Sequence, residues 1–141
     1  MKKRSVLLGV LLFATHLPAA LAAKEFSAKD VGDAYAFSFQ GEIVGIGPVA
    51  ATGRMRSDGN GKIPEAMRTI SVNGVSQTET FTCTLTIDAN GTGAAVCRLN
   101  NPAPGFPAVE TFDFVLEDKG RSFRFIGTPP GIVVLESGLR Q

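Results

Sequence analysis

Turn signals recur along this chain and leave segments of strand length between them. The strongest is Asn73-Gly74, a pair suited to the left-handed backbone of a tight hairpin. Others are Ser57-Asp58-Gly59-Asn60-Gly61, Asp88-Ala89-Asn90-Gly91-Thr92, Lys119-Gly120 and Thr128-Pro129-Pro130-Gly131. Between the turns, β-branched and aromatic residues alternate with polar ones. Over 34–40, for example, Tyr35, Phe37 and Phe39 alternate with Ala36, Ser38 and Gln40. This reading predicts strands over 34–40, 49–57, 63–72, 76–87, 94–100, 109–117, 121–127 and 132–139. The segment 101–108 (NPAPGFPA) carries three prolines and reads as a loop in which Phe106 is exposed by its neighbours.

Such short connections imply antiparallel neighbours, because parallel strands need long crossovers. A meander of this kind has two open edges, and closing it on itself removes both. The expected fold is therefore all-β: a small antiparallel up-and-down β-barrel of about eight strands, with a two-sheet β-sandwich as the alternative. One face of the strand from Ser76 carries Thr78, Thr80, Thr82, Thr84 and Thr86, and the other carries Phe81, Cys83, Leu85 and Ile87. A hydroxyl exterior over an apolar core suits a barrel that is not membrane-embedded better than one facing lipid.

The first residues read as an address. Lys2, Lys3 and Arg4 precede an apolar run from Val6 to Ala14, and Ala20-Leu21-Ala22 supplies small residues for cleavage. The run is too short to span a bilayer, which needs about 20 apolar residues. The expected organisation is a signal peptide over 1–22, an N-terminal extension over 23–33 and one barrel domain over 34–141, secreted or periplasmic after cleavage. Phe26 and Val31 in the extension suggest a short helix or lid. Removing 1–22 from 141 residues leaves 119. Three basic residues go with it, so 11 face 13 acidic ones and the net charge moves from +1 to −2. That balance gives no basic footprint for nucleic acid. The one histidine, His16, leaves as well, which excludes Ser-His-Asp and Cys-His catalysis and imidazole metal or haem sites. No cofactor and no metal site are expected.

The turns set registers. Folding about Asn90 places residue i opposite 180 − i, so Cys83 meets Cys97. In an exported chain this predicts a disulfide, with a redox or metal pair as the alternative, although there is no Cys-x-x-Cys spacing. Folding about Lys119-Gly120 places Phe114 opposite Phe125 and Leu116 opposite Phe123, with Asp113 and Arg124 as a diagonal surface pair on the other face. Folding about Asn73-Gly74 places Arg68 opposite Glu79, on the face that also carries Phe81. A charge pair pointing inward needs compensation. Two readings would avoid that cost: a wet position at the barrel mouth, or a bulge near Pro64 that shifts the register. The third reading makes the pair the polar end of an aromatic pocket. The candidate ligand-binding residues are Tyr35, Arg68, Glu79, Phe112, Phe114 and Phe125, and no catalytic residue is assigned. Tyr35, the one phenol, also fits a core aromatic with its hydroxyl bonded.

Gly41 to Gly47 lacks the order of a phosphate-cradling loop. Asp58-Gly59-Asn60-Gly61 begins like a calcium loop, but Thr69 stands where the bidentate Glu belongs, so it reads as a turn. The stretches Gly32-Asp33-Ala34-Tyr35-Ala36-Phe37-Ser38-Phe39, Asp58-Gly59-Asn60-Gly61, Arg124-Phe125-Ile126, Pro130-Gly131 and Arg140-Gln141 resemble those of small secreted bacterial proteins of unknown function. The expected form of those proteins is similar to barrels of the allene oxide cyclase and calycin type. The resemblance covers most of the chain after the leader and consists of turn and core patterns, so it transfers no catalytic residue. It implies a barrel that binds or cyclises small apolar molecules. Three functions follow as expectations: a binder of a small apolar ligand, a filled barrel that meets a partner through its surface, or a cyclase or isomerase using Tyr35, Glu79 and Arg68. A cavity of about 300 Å³ or more would favour the first or third over the second, and a filled core would exclude the ligand.

Overall fold

The computed structural model describes residues 25–141, and the leader expected over 1–22 lies outside the described residues. The strands are β1 (Ala34–Ile43), β2 (Gly47–Arg56), β3 (Lys62–Val72), β4 (Val75–Ile87), β5 (Thr92–Leu99), β6 (Val109–Glu117), β7 (Ser122–Gly127) and β8 (Ile132–Arg140). Each pairs antiparallel with the next, and β8 pairs back onto β1, so the sheet closes into an up-and-down barrel. The two-sheet arrangement does not form. All three turn registers hold: Cys83 faces Cys97, Phe114 faces Phe125, and Arg68 faces Glu79. Cys83 and Cys97 are joined as a disulfide with their Cα atoms 4.1 Å apart. The threonine stripe of β4 is exposed along its length.

The bulge at Pro64 is present, and its position decides what it does. Ala66 pairs with Phe81 and Ile63 with Cys83, so β3 carries one residue more than β4 across this interval. In a regular strand, residues 63 and 68 lie on opposite faces, because successive side chains alternate. The extra residue reverses the parity, and both Ile63 and Arg68 end up buried. Proline suits such a site because it has no N–H to offer a ladder. The register of Arg68 lies beyond the bulge and is unaffected.

Shape inside the barrel comes from pairing large rings with missing side chains. Gly53 and Gly138 both lie opposite Phe37, Gly93 lies opposite Phe114, and Phe123 also lies opposite Gly138. A Cβ on Gly138 would fall 2.1 Å from the Phe123 ring, and one on Gly93 would fall 2.5 Å from Phe114. The rings lie over bare backbone, and that lets so many aromatics share one narrow interior.

Both ends are covered. At one end the 3-10 turn Ala28–Val31 buries Val31, and the Phe26 amide bonds the Ala89 carbonyl. The extension is therefore a short helical cover. There the Tyr35 hydroxyl donates to the Gly120 carbonyl at 2.5 Å, and Arg140 donates to the Tyr35 oxygen at 3.1 Å. At the other end the proline-rich loop folds inward. Ala103 is buried, and Phe106 is half-buried against Phe39, with ring centroids 6.4 Å apart. The expectation of an exposed Phe106 is thus corrected: the ring covers an arginine. Arg124 also takes a different partner from the one expected, pairing with exposed Glu117 at 3.1 Å rather than with Asp113.

A Gly138→Val substitution drives a side chain into the Phe123 ring, and overpacking of this kind costs about 1–3 kcal/mol. Urea unfolding should show that loss, while Ser137→Ala, one residue away on the exposed face, should stay within about 0.5 kcal/mol. Equal effects at both positions would remove the ring-over-glycine account.

Candidate functional site

Alternation along four strands sends four charged side chains into the barrel. Arg68 comes from β3, Glu79 from β4, Glu110 from β6 and Glu136 from β8, and they are 3%, 1%, 2% and 4% exposed. Neither of the readings that would have kept the Arg68–Glu79 pair wet or out of register holds. The Arg68 Nε donates to Glu79 at 2.5 Å, and its two terminal nitrogens donate to the two Glu110 oxygens at 2.9 and 2.7 Å. The second pairing is the fork-to-fork geometry that guanidinium and carboxylate share. Three rings surround the cation: Phe106 at 5.2 Å, Phe39 at 5.3 Å and Phe81 at 5.6 Å from the guanidinium carbon to the ring centroid. The other Glu79 oxygen accepts the Ala103 amide, so the same cluster ties down the proline-rich loop.

Burial acts against the Arg68 charge, yet the hydrogen bonds and charges of Glu110 and Glu79 hold it above its ordinary value. Burial pushes the Glu110 carboxyl up, with Arg68 pulling it back. Glu136 is different. Neither of its carboxyl oxygens has a hydrogen-bond partner. Burial pushes its pKa up to about 9, against a partial pull from Arg68 and a further push from Glu110. At neutral pH it is a protonated carboxylic acid.

The charged layer divides the interior. On the loop side, Phe39, Phe106, Ile132 and Val134 pack it solid. On the other side lies a cavity of about 80 Å³. Its wall is apolar and aromatic, including Phe37, Phe112, Phe114, Phe123 and Phe125, with the Cys83–Cys97 bridge on one side and Glu110 and Glu136 at the charged layer. Of the six candidate residues, Tyr35, Arg68, Phe112, Phe114 and Phe125 line the cavity and Glu79 does not. Tyr35 contributes its ring alone, since its hydroxyl is committed to Gly120. Glu110 and Glu136 were missed. A signal for them was available: Glu110 lies two residues before Phe112, on a face read as inward, and Glu136 alternates with the apolar Ile132 and Val134.

Asp58 behaves as a turn residue. Its carboxylate accepts the amides of Asn60 at 2.7 Å and Lys62 at 3.0 Å, and these bonds hold its pKa below the ordinary value. No helix among the described residues is long and apolar enough to cross a membrane. Compared with known protein families, curated proteins and solved structures, the chain matches none. The functional reading rests on this geometry.

Removing the cation tests the cluster. Arg68→Met leaves Glu79 and Glu110 buried without their partner, an imbalance worth about 3–5 kcal/mol. A loss below about 1 kcal/mol in urea unfolding would show that the pair carries no such weight. Glu136 predicts a pH dependence. Its folded pKa lies above the ordinary 4.5, so between 4.5 and about 9 the folded chain holds a proton that the unfolded chain has released. Stability contributed by the neutral acid is full below pH 4.5 and falls as pH rises towards 9, at a slope approaching about 1.4 kcal/mol per pH unit. Glu136→Gln should flatten that slope, and parallel pH profiles for the two proteins would refute the assignment.

Proposed function

We propose that this protein is an exported β-barrel that binds a small, predominantly apolar molecule in the cavity beside Glu136. The observation that carries the reading is the Glu136 carboxyl, buried at an apolar cavity with no partner for either oxygen. An unsatisfied buried polar group costs about 1–3 kcal/mol, so a chain that keeps one at a cavity gains when something there bonds it. The leader-like first residues and the disulfide support the exported setting.

The cavity limits the size of the occupant. At about 80 Å³ it does not reach the roughly 300 Å³ that would by size alone favour a ligand over a filled barrel, and it is about half the 150 Å³ that admits benzene. A molecule of about three to five non-hydrogen atoms fits that space. The cyclase or isomerase alternative relied on Tyr35, Glu79 and Arg68, whose polar atoms are committed to one another, to Glu110 or to the backbone.

One observation favours a second reading. Ile126, Val133, Leu135 and Leu139 stand on the outer face of β7 and β8, with Ile126 directly opposite Leu135. An apolar strip of this kind suits a surface partner.

Xenon separates the two readings, since it enters apolar cavities of this scale without needing a polar partner. Ring resonances of Phe112 and Phe125 and methyl resonances of Leu116 should shift under xenon pressure, and the shifts should vanish in Ala95→Leu, which fills the cavity from its wall. Absence of any shift in the native chain would leave the filled barrel with an external partner.

A further inference from the structure

The four inward ionisable groups do not pair off. Three carboxyl groups share one guanidinium, and Arg68 spends its bonds on Glu79 and Glu110. Glu136 adds a third carboxyl and receives no donor at all. The unanswered acceptor lies on the cavity side of the layer, where a charged donor could meet it.

The rest of the wall has the chemistry for a cation. Phe112 and Phe125 meet edge to face with centroids 5.1 Å apart, and Phe123 sits 5.5 Å from Phe125. Aromatic rings carry negative faces, which attract alkylammonium groups and also accept their methyl groups. Arg68 is already held in this way, among Phe39, Phe81 and Phe106.

We propose that the occupant is a small primary alkylammonium ion, its charged head on the Glu136 carboxyl and its alkyl body among Phe112, Phe123 and Phe125. This deepens the binding reading above and rests on it. When the ion arrives, Glu136 releases its proton to solvent and accepts hydrogen bonds from the ammonium, so one positive charge enters and one proton leaves. The charged groups facing Glu136 are Arg68 of β3 and Glu110 of β6, with Glu79 of β4 bonded to Arg68. The flanking strands β1 and β7 bring only Tyr35, Phe37, Phe39, Ile43, Phe123 and Phe125 inward as large side chains, so no other charge competes.

Isopropylammonium and 2-propanol test this, because they share shape and size and differ in charge. Binding to the full chain is followed by NMR shifts of the Phe112 and Phe125 rings at neutral pH, alongside Glu136→Gln, whose amide has the shape of the neutral acid. The expected result is a preference of about tenfold or more for the ammonium, of the order one desolvated ion pair supplies. That preference should disappear in Glu136→Gln, whose folding is checked by circular dichroism. Calorimetry in buffers of different ionisation enthalpy should also show proton release on binding. Equal or tighter binding of 2-propanol overturns the cation and leaves the cavity reading standing. Entry of xenon with no binding of the ammonium also overturns it, and exclusion of all three probes overturns both. If Glu136→Gln fails to fold, the preference in the native chain and its proton release decide the matter.

Discussion

Arg68 is buried where water cannot serve it, so its donors must be answered by side chains from elsewhere in the sequence. Glu79 reaches it from the neighbouring strand, and Glu110 from across the barrel. This requirement couples strands β3, β4 and β6 through one cation. It also fixes the proline-rich loop, because the Glu79 oxygen that faces away from Arg68 takes the Ala103 amide. Breaking the pair leaves uncompensated charge in a low-dielectric space, so the cluster acts as a constraint on register and loop position more than as a source of net stability.

The aromatic packing meets a different constraint. Nine phenylalanines lie among the described residues, and an eight-stranded barrel is just wide enough for side chains to fill it. Glycines facing the rings create the missing width. Where rings and glycines match, the interior closes, as on the loop side of the charged layer. On the other side a gap of about 80 Å³ is left beside an unpaired acid. At this site neither packing nor hydrogen bonding is complete.

The strands, their order and three registers could be read from the turns, because each tight turn dictates which residues meet. The Cys83–Cys97 pair and the inward Arg68–Glu79 pair both followed from that arithmetic. What could not be read was long-range. Glu110 is inward by simple alternation, but its pairing with Arg68 depends on barrel curvature bringing β6 across from β3. Phe106 looked exposed because prolines flank it, whereas the loop's amide bond to Glu79 draws it over the guanidinium. The position of the bulge was equally hidden, since Pro64 allows a bulge on either side and the burial of both Ile63 and Arg68 selects one.

Seven of the eight strand pairings join neighbours in sequence, and one, β1 with β8, joins the two ends of the domain. The entropy of bringing distant chain ends together is therefore concentrated in a single event. Hairpins from the turns at 73–74 and 88–92 can form early on local contacts alone. The final seam then depends on terminal residues: Gln141 donates its amide to the Ala34 carbonyl, and Arg140 spans Asp30, Tyr35 and Gly120. Arg140 and Gln141 thus serve as the clasp of the barrel, and the ring can shut only after synthesis has passed them.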